Sequence, residues 1–220
     1  TITNDDQVTV TIDSVSKQEG NSGTTAFDFT VSIDQAAGID VVVPWTFANV
    51  TTSDDDFAAG LTKSGTVTIP TGSKTKTLSF SVNGDTAVEN DETFTVTLGT
   101  PTTSGAVLGA NKVGTGTVQN DDVATASIAN VTQNEGNSGT TNFDFTVTLD
   151  KAAPTDVTIP WTFANVTSTD SDFGAGLTKT GNVTIPAGSL SAKITPSFPV
   201  NGDTTVEANE TFTVTLGTPS

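Results

Sequence analysis

The sequence predicts an all-β protein built of tandem immunoglobulin-like Greek-key β-sandwiches, with about seven strands in each. Three observations predict it. Apolar residues alternate with threonine, serine or aspartate at a period of two, the mark of strands that bury one face. Long words of sequence recur about half a chain apart. No segment of useful length carries a helical period.

The elements follow in order. Val8, Val10 and Ile12 alternate with threonines, and Phe27, Phe29, Val31 and Ile33 alternate with Asp28, Thr30 and Ser32. Strand-like runs come next near Val41 to Phe47, Thr66 to Ile69 and Thr77 to Val82. Phe94, Val96 and Leu98 then alternate with threonines, and Val113 to Gln119 closes the set. Clusters of Gly, Pro, Asn and Asp separate these runs, because such residues supply the backbone angles and local hydrogen bonds of turns. Trp45 and Trp161 are expected to be core anchors within strands.

The internal repeat is strong. Glu19 to Thr25 recurs letter for letter at Glu135 to Thr141, and Pro44 to Val50 recurs at Pro160 to Val166, both 116 residues on. Asn83 to Thr86 recurs at Asn201 to Thr204, and Glu92 to Leu98 at Glu210 to Leu216, now 118 residues on. Two residues are therefore inserted in the second copy, near Leu190 to Pro196. Thr1 to Asp6 aligns with Thr117 to Asp122, so residues 1–6 read as the end of a preceding repeat, 7–122 as repeat 1, and 123–220 as repeat 2 without its last strand. A tandem array is the expected parent, with the last strand supplied by further chain or by a neighbouring molecule. The chain has no methionine and opens on Thr1, which fits a processed product or a segment of something longer.

Composition narrows the chemistry. The 220 residues carry a net charge of −17, and all eight basic residues are lysines. Nucleic acid and anionic membrane surfaces need clustered cations, so neither is an expected partner; cations are. No 18-residue apolar span is present, so membrane insertion is not expected either. Without histidine or cysteine the chain cannot form a Ser-His-Asp triad, a zinc finger or a disulfide, and only oxygen ligands remain. No enzyme activity is expected.

The carboxylates are not scattered. All six glutamates fall at three repeat positions, Glu19 with Glu135, Glu89 with Glu207, and Glu92 with Glu210, each at a turn bordering a strand. Asp54, Asp55 and Asp56 form a second cluster, mirrored by Asp170 and Asp172, and Asp121-Asp122 stand at the junction between copies. Gathered at one end of a sandwich, such groups repel one another unless a cation is present. Calcium suits them, because it accepts six to eight oxygens in flexible geometry, roughly what five to seven carboxylates can offer. On residues alone, acidic turns that are simply solvated explain the pattern equally well.

Several motifs in a fixed order carry a family likeness. They are a Glu-Gly near the first strand, Asp56-Phe57 and Asp172-Phe173, Gly65 to Pro70 (Gly-Thr-Val-Thr-Ile-Pro), Asn83-Gly84-Asp85 followed by Val88 to Phe94, and Gly114 to Asp122. In these the chain resembles the Calx-beta domain over nearly its whole length. The resemblance implies immunoglobulin-like sandwiches that hold Ca2+ at one end. It implies metal-ligand roles for Glu19, Asp56, Asp85, Glu89, Glu92, Asp121 and Asp122 in repeat 1, and for Glu135, Asp172, Asp203, Glu207 and Glu210 in repeat 2. The second set departs from the pattern, because the counterparts of Asp121 and Asp122 fall beyond Ser220.

These observations lead to an expected function. The chain reads as a structural or adhesive segment of an extracellular or cell-surface array, a stalk or filament subunit stiffened by calcium at its domain ends. Its expected partners are neighbouring repeats or identical subunits joined head to tail by strand complementation, calcium ions, and a cell surface or matrix. The alternative is a calcium-sensing regulatory module.

Overall fold

The computed structural model describes residues 5–220. Thr1 to Asn4 lie outside them, and with them most of the segment expected to close a preceding repeat. The chain divides into two compact units, Thr1–Asp122 and Val123–Ser220.

Unit 1 is a sandwich of two sheets. Its strands are β1 (Val8–Ile12), β2 (Val15–Gln18), β3 (Thr24–Ile33), β4 (Val41–Asn49), β5 (Ser64–Ile69), β6 (Thr75–Asn83), β7 (Glu92–Leu98), β8 (Ala106–Leu108) and β9 (Val113–Gln119). One sheet has the order β6-β3-β1-β8 and the other β2-β9-β7-β4-β5. Nine strand segments stand where the period-two pattern predicts seven, for two reasons. The chain crosses after Ile12 from the first predicted strand into an unpredicted one, β2, in the other sheet, where Asp13 Oδ1 accepts the Thr30 amide (2.6 Å) and Ser14 Oγ accepts the Thr115 amide (3.0 Å). The short β8 adds an edge beside β1, to which it runs parallel.

The core lies between the sheets, where the alternation turns Phe27, Phe29 and Val31 of β3 toward Val43, Trp45 and Phe47 of β4. Phe94 is its hub, with the rings of Phe27, Phe29, Phe47, Phe57 and Phe80 all within 5.9 Å. Two glycines in β9 make room for this cluster. A Cβ on Gly116 would drive into the Phe94 ring, and one on Gly114 would meet both Phe29 and the Asp13 carbonyl.

Unit 2 repeats the design in shorter pieces. They are β10 (Ala126–Ile128), β11 (Thr140–Phe143), β12 (Thr146–Leu149), β13 (Val157–Asn165), a 3₁₀ turn at Asp170–Asp172, β14 (Thr180–Ile185), β15 (Ser191–Lys193), β16 (Phe198–Asn201) and β17 (Phe212–Leu216). The insertion shows its effect here. Thr140 pairs with Asn201 and Phe143 with Phe198, the counterparts of Thr24 with Asn83 and Phe27 with Phe80. Beyond it, Thr146 pairs with Lys193 as Thr30 pairs with Thr77, so the two extra residues are absorbed between Lys193 and Phe198. An even number of added residues leaves every side chain on its original face, so both halves of the split strand still point into the core.

All twelve phenylalanines form six repeat-related pairs. Phe212 touches Phe143, Phe145, Phe163, Phe173 and Phe198, the counterparts of the five rings around Phe94. β17, however, pairs only with β13 among the described residues, whereas β7 lies between β4 and β9. Phe212, Val214 and Leu216 are accordingly half-exposed where Phe94, Val96 and Leu98 are buried.

Candidate metal centre

Strand direction gathers the acids of unit 1. β2 runs parallel to β9, β9 antiparallel to β7, and β7 antiparallel to β4. The ends of β2, β4 and β9 and the start of β7 therefore share one end of the five-stranded sheet. Glu19 follows β2, Asp56 lies in the loop after β4, Glu92 opens β7, and Asp121-Asp122 follow β9. The turn after β6 brings Asp85 and Glu89 to the same place. It is tied down by the Asn83 amide, which donates to the Asp56 carbonyl (2.8 Å), and by the Gly84 amide, which donates to the Gly23 carbonyl (3.0 Å). Gly84 is required here, because any Cβ would overlap the Gly20 carbonyl.

The carboxylates meet. Glu19, Asp121 and Asp122 each offer an oxygen within 4.8 Å of the other two. Glu19 is 5% exposed and Asp122 4%. Asp121 Oδ1 is buried and accepts no hydrogen bond from the described residues. Burial pushes Glu19 up to about 7, helped by the charges of Glu89, Asp85, Asp121 and Asp122. Burial likewise pushes Glu92 up to about 7, followed by Asp56 through its charge and a hydrogen bond, then by Glu89 and Glu19. Glu89 is raised by burial and by Asp85, Asp56 and Asp122. Each of the four aspartates that the sequence singles out in repeat 1 thus acts on at least one of the three glutamates, and each charge that raises these glutamates is another carboxylate.

Second residues hold this cluster in shape. Asn120 donates from Nδ2 to the Asp122 carbonyl (2.9 Å), and its Oδ1 accepts the Glu89 amide (3.2 Å). Asp91 Oδ1 accepts the Asn120 amide (3.1 Å), and Asp85 Oδ1 accepts the Ala87 amide (2.7 Å). Asp91 and Asn120 lie inside the motifs Val88 to Phe94 and Gly114 to Asp122, but neither is singled out by the sequence pattern. The clue to Asn120 is its place just before the Asp-Asp pair.

Repeat 2 assembles the same five groups in a more open setting. Glu207 is raised by Asp203 first, then by burial, Glu135 and Asp172. Glu210 is raised by burial, by a hydrogen bond with Asp172 and by the charges of Asp172, Glu207 and Glu135. Asp172 is held low, chiefly by the Thr169 amide. Glu135 is half-buried, while Asp203, Glu207 and Glu210 are exposed.

The donors at both centres are carboxylate oxygens from separate loops. Such a set fits a hard cation of high coordination number, and the buried Asp121 Oδ1 has an oxygen to offer that no hydrogen bond from the described residues occupies.

Fold and site together define a tandem β-sandwich protein with an acidic centre at one end of each sandwich. The Calx-beta domain family model matches residues 3–132 and again 119–220, so the chain belongs to the Calx-beta domain family. No curated protein matches it. Among solved structures it is similar to CBD12 from CALX1.2, at 18% identity and a TM-score of 0.47 over 96% of this chain and 80% of that one. It is similar to the calcium-binding domain CBD12 of CALX1.1 at the same identity and TM-score, over 96% of this chain and 79% of that one. The apo-form Calx CBD1 domain matches 53% of this chain over 100% of its own length, at 19% identity and a TM-score of 0.46.

Proposed function

We propose that the chain is a calcium-binding structural segment of an extracellular repeat array, in which Ca2+ at the acidic ends stiffens a stalk or filament. The observation that carries this reading is the approach of Glu19, Asp121 and Asp122, with oxygens within 4.8 Å, at a site where burial makes uncompensated negative charge costly. The ligands in repeat 1 are Glu19, Asp56, Asp85, Glu89, Glu92, Asp121 and Asp122. Those in repeat 2 are Glu135, Asp172, Asp203, Glu207 and Glu210. The open setting of the second group favours weak binding, which suits a calcium-rich extracellular medium. Head-to-tail pairing belongs to the same reading, because β17 and the two residues before it repeat the heptapeptide of β7, so that β17 fits a strand like β9 at its outer edge.

The test is a thermal melt of the 220-residue chain in chelator and then across a calcium series. A ligand at a hundred times its dissociation constant adds about 2.7 kcal/mol, a readily visible shift. Saturation at a concentration on the order of 10⁻⁴ to 10⁻³ M supports the extracellular strut, and saturation on the order of 10⁻⁷ to 10⁻⁵ M points to a sensor instead. A melt indifferent to calcium overturns both.

A further inference from the structure

We propose that Lys63, and Lys179 at the same place in repeat 2, are positioning residues for the acidic centres: each latches the loop that presents Asp56 or Asp172. The inference rests on the calcium reading above and names how the site is held. Among the eight lysines, these two are the only pair at equivalent repeat positions; none of the other six has a lysine counterpart within the chain.

The latch is built twice from the same parts. Lys63 Nζ donates to Asp54 Oδ2 (2.7 Å), and Asn49 Nδ2 donates to Asp54 Oδ1 (2.7 Å). Asn49 Oδ1 in turn accepts the hydroxyl of buried Thr52 (3.0 Å). In repeat 2, Lys179 Nζ donates to both oxygens of Asp170 (2.7 Å each), Asn165 Nδ2 donates to Asp170 Oδ1 (2.7 Å), and buried Ser168 donates to Asn165 Oδ1 (3.1 Å). Between the latch asparagine and lysine four residues differ between copies, Thr52, Ser53, Asp55 and Ala58 becoming Ser168, Thr169, Ser171 and Gly174, while the asparagine, aspartate and lysine of the latch do not change and Ser168 keeps the hydroxyl of Thr52.

One residue farther on, the loop closes onto the site. The Ser53 amide donates to Asp56 Oδ2 (2.5 Å), and the Thr169 amide to Asp172 Oδ2 (2.6 Å). Asp56 in turn is close enough to raise Glu92, as Asp172 is to raise Glu210. Asp54 and Asp170 sit in an acidic run, yet both of their oxygens are taken by the latch, so they anchor the loop and do not ligate the cation. Both ion pairs are about half exposed, and exposed pairs add little to stability, which leaves geometry as their contribution.

The sign of one measurement separates this role from simple charge. Calcium chloride is titrated calorimetrically into the full chain as wild type, Lys63→Met and Lys63→Arg, and Ser53 amide exchange is followed in chelator. Removing a positive charge beside an anionic site should, by charge alone, tighten calcium binding. Loss of positioning should weaken it, by about 10-fold, as loss of groups that orient metal ligands does. The expected result is weaker binding and faster Ser53 exchange in Lys63→Met, with both restored in Lys63→Arg. Unchanged or tighter binding in Lys63→Met overturns the inference. A wild-type chain that takes up no calcium removes the calcium reading, and unchanged Ser53 exchange then overturns the latch on its own.

Discussion

Phe94 and Phe212 occupy the same place in two identical heptapeptides and each touches the five equivalent rings of its own unit, but Phe94 is fully buried and Phe212 is half-exposed. The difference is β9, which covers β7 and places Gly116 over the Phe94 ring. Phe94→Ala should cost about 3 to 5 kcal/mol, the range for a buried phenylalanine, and Phe212→Ala distinctly less. Urea unfolding of each variant, followed through Trp45 or Trp161 in chains that keep only one tryptophan, measures both. Equal losses would mean that the exposed edge of unit 2 is covered in solution.

The same contact predicts the effect of filling the glycine. Gly116→Val should destabilise unit 1 by about 1 to 3 kcal/mol or more, because an added side chain forces the Phe94 ring off its rotamer. Urea midpoints read this directly, and a neutral substitution would contradict the close approach of strand and ring.

Stability should fall with rising pH when calcium is absent. Glu19 and Glu92 are raised from 4.5 to about 7, so between those values the folded state holds protons that the unfolded chain releases. Their protonated form supports the fold fully below about 4.5, and that support is lost as pH climbs to about 7. The aspartates held low, such as Asp34, Asp54 and Asp172, act in the opposite sense, and their contribution is lost only as pH drops below 3.8. Melting in chelator should therefore occur at a lower temperature at pH 8 than at pH 5. With saturating calcium the order should invert, since the cation needs the ionised acids.

Glu19→Gln should separate stability from binding. Removing this buried charge relieves its conflict with Glu89, Asp85, Asp121 and Asp122. The metal-free chain should then melt higher, by about 4 °C or more for each kcal/mol gained, while calcium no longer raises the melt of unit 1. A variant that melts lower in chelator and keeps its calcium response would remove Glu19 from the site.

Particular residues show how far the sequence could be read. The three glutamate positions and Asp56-Phe57 were legible because a duplication repeats them in a composition otherwise short of glutamate. The two-residue shift near Leu190 to Pro196 was legible too, but not that it would be absorbed as a bulge opposite Asp144 and Phe145. Alternation assigns faces and not partners, so nothing in Val8 to Gln18 announced a strand shared between two sheets, nor the parallel neighbours β8 and β9. The latch was hidden for another reason. Lysine and aspartate nine residues apart on an exposed loop follow no period, and only the fold shows that Asn49 joins them.

The parallel pairing of β2 with β9 has a mechanical consequence. These strands lie near opposite ends of the chain of unit 1, with Val15 to Gln18 beside Gly116 to Gln119. Tension between the two ends pulls them in opposite directions along their shared axis. The bonds between them are loaded together, in shear, and must break as a group instead of peeling apart one by one. A pulled repeat should thus resist force at this seam far beyond what its thin apolar core suggests, and a single-molecule extension trace would show it as one tall rupture.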